Sequence, residues 1–143
     1  MRISEVIRRK GEAVITIAPD ATVEQLLAIL DEHRVGAVIV SADEGASVAG
    51  IVSERDVVRE LHRDGADVLG RAVSAIMTSG VTTCVPDDDL ETLARTMTEK
   101  RIRHLPVVVD GQLRAIVSIG DIVKHRIDEL QAERDQLVDY VHR

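Results

Sequence analysis

Two short stretches hold the residues best placed to do chemistry. Residues 50–58 read GIVSERDVV and residues 115–123 read AIVSIGDIV. In each, an apolar pair runs into a serine and an aspartate follows three residues on, so that Ser53 and Ser118, and Asp56 and Asp121, lie 65 apart. Ser-x-x-Asp directly after a β-branched run describes a strand that ends in a capped helix. The hydroxyl accepts from an orphan backbone N–H, and the acid sits in the positive first turn. Each cap contributes about 1 kcal/mol. One copy would mean no more than that; two copies at a fixed spacing need an explanation from the rest of the chain.

Other reactive residues point away from catalysis. His33, His62, His104, His125 and His142 show no HExxH or other metal-ligand spacing. There is no P-loop, no glycine-rich dinucleotide fingerprint and no nucleophile elbow. Asp87, Asp88 and Asp89 form a carboxylate run between a proline and a helix start, where acids complement the dipole; that use is favoured over Mg²⁺. No enzyme activity, catalytic cofactor or metal is expected.

The elements around the two motifs repeat as well. VITIAPDATVEQLLAIL from Val14 aligns with VTTCVPDDDLETLARTM from Val81, pairing Thr16 with Thr83, Pro19 with Pro86 and Thr22 with Asp89, each 67 apart. The change from 67 to 65 places two extra residues in the loop SADEGAS, which answers to the shorter DGQ. ISEVI from Ile3 and VSAIM from Val73 precede the copies. Internal repetition of this kind sets the fold reading.

Within one copy, a β-rich run (residues 14–17 or 81–85) ends at a proline. A helix capped by Thr22 or Asp89 follows. It carries Val23, Leu26, Leu27 and Leu30, or Leu90, Leu93, Ala94 and Met97, on one face. Two short strands come next, AVIV and VAGIV or LPVVV and LRAIV, the second pair turning through Asp110 and Gly111. The helix opened by Ser53 or Ser118 closes the unit. The fold class expected is α+β, two β-α-β-β-α repeats, with a first repeat at 1–64, a connector at 65–72, a second repeat at 73–128 and a helical extension at 129–143. A unit of about 60 residues is marginal alone, so the copies are expected to share a core.

Composition narrows the partners. The 143 residues are 45% apolar and 30% charged, with one Tyr and no Trp or Phe, and the formal net charge is −7. Polyanions are repelled and stacking platforms are absent, so nucleic acid is not an expected partner. The longest apolar runs are too short for a membrane span, and MRISEVIRRKG lacks a signal-peptide core. Cys84 is the one cysteine and reads as a small buried apolar residue. A cytoplasmic location is expected.

With GIVSERD and AIVSIGD, HRVGAVIV and RIRHLPVVV, and VITIAP and VTTCVP present in order and twice, the chain resembles a tandem cystathionine-β-synthase-type (CBS) domain pair, or Bateman module, of the stand-alone bacterial type. The resemblance implies two repeats packed about a pseudo-twofold axis with two clefts between them. In relatives these clefts often take adenosine-containing ligands such as AMP, ADP, ATP, NAD or S-adenosylmethionine, usually as regulators. By the same resemblance, Asp56 and Asp121 match the acid that grips the ribose diol, and Ser53 and Ser118 the hydroxyl beside it at a helix N-terminus suited to phosphate. Thr16 and Thr83 match the first-strand position facing adenine or ribose. Val14, Ile51 and Val52, and in the other cleft Val81, Ile116 and Val117, could form an apolar adenine slot. Met77 could pack on the ring or be ordinary core. Arg103 and His104 match basic phosphate contacts, where the first copy has Gly36 and Ala37, which permit close backbone approach. Arg55 and Arg59, four apart, could compensate there but read better as surface charges paired with nearby acids.

From Asp121 the chain reads as helix to its end. Val123, Ile127, Leu130, Leu137 and Val141 form a stripe in which Arg134 fills the missing seam position. That stripe wants a partner, within the module or from a second copy, and a homodimer is expected. The resulting expectation is an adenine-nucleotide-sensing regulatory module that acts through an unidentified effector protein. The alternative is a ligand-independent dimerisation or adaptor module.

Overall fold

The computed structural model describes every residue of the chain except Glu12, and all structural statements below concern those residues. In chain order the elements are α1 (Ile3–Lys10), β1 (Thr16–Ile17), α2 (Val23–His33), β2 (Ala37–Val40), β3 (Gly50–Ser53), α3 (Glu54–Asp64), α4 (Leu90–Lys100), β4 (His104–Val109), β5 (Gln112–Ser118) and α5 (Ile119–Val141). Between α3 and α4 the chain makes two 3₁₀ turns, Gly65–Gly70 and Val73–Ala75. The architecture is α+β: the first repeat has the expected β-α-β-β-α order, and the second has it without its first strand.

Local rules account for the helix starts. Thr22 accepts from the Gln25 N–H at 3.1 Å and the Gln25 side chain returns the bond to the Thr22 N–H. Asp89 does the first half of this for α4, accepting from the Thr92 N–H. Both helices end on an arginine in the left-handed region, Arg34 at φ 53° and Arg101 at φ 55°. Those arginines are again 67 apart.

The sheets differ in one instructive way. In the first half, β1 pairs in parallel with β2, and β2 pairs antiparallel with β3. In the second half β4 and β5 form the hairpin, but the run at 81–85, expected as a strand, keeps only a single bridge, Cys84 to Val107. Proline explains the loss. The Ile39 N–H donates to the Ile15 carbonyl at 3.4 Å, and 67 residues later the place of Ile39 is held by Pro106, which has no N–H to give. Cys84 therefore bonds to the Pro106 carbonyl and the Val108 N–H, and the ladder stops. Its thiol is buried, which with the nearby Asp88 charge pushes its pKa up to about 12.

Each half buries its own apolar core, and each core is completed by the segment that precedes the other half. Ile3, Val6 and Ile7 of α1 pack with Leu90, Leu93, Met97, Leu105 and Val117 of the second half. Val73, Ile76 and Met77 pack with Val23, Leu26, Val38 and Val52 of the first. The backbone ties match in pairs. Ile3 and Ser4 donate to Asp88 and Pro86 at 3.0 and 2.9 Å, as Val73 and Ser74 donate to Ala21 and Pro19 at 2.7 and 3.0 Å. Neither half can fill its core without its neighbour's lead-in. The loop with the two extra residues also crosses over, its Ala46 carbonyl accepting from Leu113 at 3.0 Å.

Candidate ligand-binding cleft

Between the halves lies a cleft of about 280 Å³. The first half contributes Gly36 and Ala37 at the start of β2, Ile51 and Ser53 from β3, and Glu54, Arg55 and Asp56 from the first turn of α3. Thr78 and the α4–β4 junction, Arg101 to His104, close it from the other side. Eight of the residues singled out in the sequence thus meet in one place: Gly36, Ala37, Ile51, Ser53, Arg55, Asp56, Arg103 and His104; Arg55, expected as a surface charge paired with an acid, instead faces the cleft.

Ser53 and Asp56 form the expected capping box. Asp56 Oδ2 accepts from the Ser53 N–H at 2.9 Å and from its hydroxyl at 3.1 Å, and Ser53 Oγ accepts from the Asp56 N–H. Asp56 Oδ1 accepts from Arg59 Nη2 at 2.6 Å. Asp56 is only 8% exposed, so the pairing read for Arg59 is with the motif's own acid. A carboxylate offers about four lone-pair directions, and these contacts leave one free on Oδ1. Glu54 stands over Gly36: a methyl group added there would lie 3.4 Å from its Oε1.

The cleft is locally cationic although the chain is acidic. Arg55, Arg101 and Arg103 face it, and none of the three pairs with a carboxylate among the described residues. His104 is different. Burial, and then the neighbouring Lys10 charge, lower its pKa, so the ring is neutral at pH 7 and the positive charge of the Arg103–His104 pair rests on Arg103. Arg101 and Thr78 were not read from the sequence as site residues. The 67-residue spacing of Arg34 and Arg101 was the available signal for the first.

The second motif is not in this cleft. Asp121 accepts from the Ser118 N–H at 2.9 Å and Ser118 Oγ accepts from the Asp121 N–H at 3.1 Å, repeating the box. Lys10 Nζ then sits 2.5 Å from Asp121 Oδ2 and 2.9 Å from the Ile116 carbonyl oxygen. Burial would raise the Asp121 pKa, but the hydrogen bonds from Lys10 and from the Ser118 backbone outweigh it and hold it below the usual carboxylate range.

The remaining expected residues lie elsewhere. Met77 is core: an added Cβ at Gly50 would meet its Sδ at 2.7 Å, and it packs beneath β3 rather than lining the cleft. Val52 and Val117 are fully buried in the two cores and cannot form an adenine slot, because strand alternation turns them away from the side that shows Ile51 and Ile116. Thr16 is half-buried on β1 against the loop at Gly45, Thr83 is exposed before the Cys84 bridge, and Val14 and Val81 are half-buried outside the strands. Among the described residues no group of three or more His, Cys, Asp or Glu could hold a metal ion, and no helix is long and apolar enough to cross a membrane.

Known proteins share this arrangement. The chain is 33% identical over 146 residues to the mitochondrial CBS domain-containing protein CBSX3 of Arabidopsis thaliana, covering 97% of this chain and 71% of that one. The crystal structure of the CBS-domain containing protein ATU1752 from Agrobacterium tumefaciens superposes with a TM-score of 0.85 at 38% identity, over 88% of this chain and 99% of that one. The CBS domain protein PAE2072 from Pyrobaculum aerophilum, solved in complex with AMP, superposes with a TM-score of 0.73 at 26% identity, over 85% of this chain and 89% of that one. The CBS domain profile matches residues 3–63 and again 73–128. This chain belongs to the CBS domain family and carries two CBS domains in tandem.

Proposed function

We propose that the cleft between the two domains binds an adenine nucleotide (AMP, ADP, ATP or NAD) as a regulatory signal rather than a substrate. One observation carries this reading: a helix-capping Ser53–Asp56 pair from one half faces Arg101 and Arg103 from the other. A sugar diol on the free lone pair of Asp56 and a phosphate on the arginines would span the two halves. Ile51 offers an apolar surface for the base. A ligand that bridges the halves favours one packing of them, by as much as its affinities for the alternatives differ. The PAE2072 complex supports the choice of an adenine nucleotide.

Output passes to a partner, and a homodimer is part of the proposal. Val123, Ile127, Leu130, Leu137 and Val141 are all exposed along α5, and Val58 is exposed at the position of α3 that matches Val123. From Gln131 onward every residue of α5 is exposed, and a free helical segment of about three turns gains little stability alone. The buried single thiol suits a reducing compartment such as the cytoplasm.

The second reading, a ligand-independent adaptor, is favoured by the fact that both motif acids already hold internal cations. A thermal-shift panel of adenosine against guanosine compounds decides between them. A ligand at 100 times its Kd stabilises the folded state by about 2.7 kcal/mol, so adenine nucleotides should raise the Tm while guanine nucleotides should not. A flat panel at millimolar ligand supports the adaptor.

A further inference from the structure

The two domains differ at their Ser-x-x-Asp motifs, and the difference comes from the segments they exchange. In the first domain, Thr78 runs beside β3 and exchanges both backbone hydrogen bonds with Ile51, each at 2.9 Å. The residue matching Ile51 is Ile116. With Ile3 aligned on Val73, the residue matching Thr78 is Arg8, but α1 remains helical through Lys10. The Arg8 N–H lies inside the helix, and no bridge joins α1 to β5 among the described residues. The Lys10 ammonium takes their place on the Ile116 carbonyl and reaches Asp121 as well. The position matching Lys10 in the other segment is Gly80, which has no side chain. Asp56 is met instead by Arg59 of its own helix.

We propose that Lys10 is a specificity-determining residue that keeps the second motif closed: its ammonium stands between Asp121 Oδ2 and the Ile116 carbonyl, in the space a nucleoside would need beside that acid, so that ligand fills the Asp56 cleft alone. This rests on the nucleotide reading above. Both motif acids hold a cation, but the two cations arrive differently: Arg59 lies along Asp56's own helix and leaves a cleft of about 280 Å³ beside that acid, whereas α1 brings the Lys10 ammonium across the second motif, between Asp121 Oδ2 and the Ile116 carbonyl. Displacing Lys10 would leave its charge without a partner beside His104, whose pKa already registers that charge. The duplicated sequence thus carries two similar motifs with one open for ligand.

Calorimetric titration of the full chain with AMP tests this. Wild type should show one site and Lys10→Met two, with the gained site lost again in Lys10→Met/Asp121→Asn. Two equal sites in wild type, or one site in Lys10→Met, overturn the proposal. Lys10 is the last residue of α1, and the buried Ile3, Val6 and Ile7 keep the helix docked in the variant. A ligand-free arm follows the Asp121 carboxyl carbon by NMR, which should titrate at clearly higher pH in Lys10→Met than in wild type. Binding of AMP to neither protein overturns the nucleotide reading. The carboxyl titration separates the two failures: curves that coincide overturn the Lys10–Asp121 contact as well, and curves that part show the contact intact with the nucleotide reading alone at fault.

Discussion

Arg59 Nη2 lies 2.6 Å from Asp56 Oδ1, three residues along the same helix, and so holds the acid that the cleft offers to a ligand. The motif therefore has two separable roles, a backbone cap and an anionic acceptor. Ser53→Ala should cost about 1 kcal/mol in urea denaturation and leave AMP binding within a few-fold of wild type. Asp56→Asn keeps the shape and much of the cap but removes the charge, and AMP affinity should fall about tenfold or more, in line with losing a charge-assisted bond. Equal AMP affinity for Asp56→Asn and wild type by calorimetry would remove Asp56 from the site.

Gly50 has no room for a side chain. A Cβ there would lie 2.7 Å from both Met77 Sδ and the Thr78 carbonyl oxygen. Gly50→Ala should destabilise by about 1–3 kcal/mol through overpacking. Trimming the methionine should not rescue it, because the second contact is backbone. A Gly50→Ala/Met77→Ala pair that regains wild-type stability in chemical denaturation would show that the exchanged segment at 76–78 is not held against β3.

The missing N–H at Pro106 can be restored. Pro106→Ile should let the second domain form the ladder that Ile39 forms in the first, lengthening the strand before Cys84 toward Thr82. One added backbone hydrogen bond contributes about 1 kcal/mol. Hydrogen exchange should find the new amide at position 106 protected. Exchange at the rate of an open loop would contradict the account of the lost strand.

Stability should fall as the solution is acidified through the histidine range. Burial, then Lys10, keep the His104 pKa below the ordinary 6.5, with Asp121 and Glu54 pulling up and Arg103 down. Between the folded and unfolded values the unfolded chain binds more protons, so the stability contributed by the neutral imidazole is complete above about pH 6.5 and is lost as pH falls through the folded value. Urea midpoints of wild type should decline over that window, and those of His104→Gln should decline less. A wild-type midpoint that rises on acidification there would reverse the sign of the shift.

The exchange of lead-in segments makes the two domains one folding unit. Ile3 is fully buried in the second core. Ile3→Ala should cost about 2–5 kcal/mol, the range for emptying a well-packed site. Although Ile3 precedes the first domain in the chain, the whole protein should lose stability in a single transition. Two separate transitions in calorimetry would mean that the cores are not coupled.

What the chain itself declares is short-range. The doubled Ser-x-x-Asp boxes, the Thr22 and Asp89 caps and the helix faces headed by Val23 and Leu90 all act within four residues, so spacing alone located them. The duplication extended that reading to the whole α+β order and to the family. Tertiary structure decided what depends on partners far along the chain: that α1 completes the second core, that Pro106 leaves the run at 81–85 with a single bridge, that Arg101 joins the cleft, and that Lys10 meets Asp121 across 111 residues. Two near-copies offer each lead-in segment two similar places to bind. No local rule chooses between them, and the choice is made by packing, charge and the one backbone donor that proline lacks.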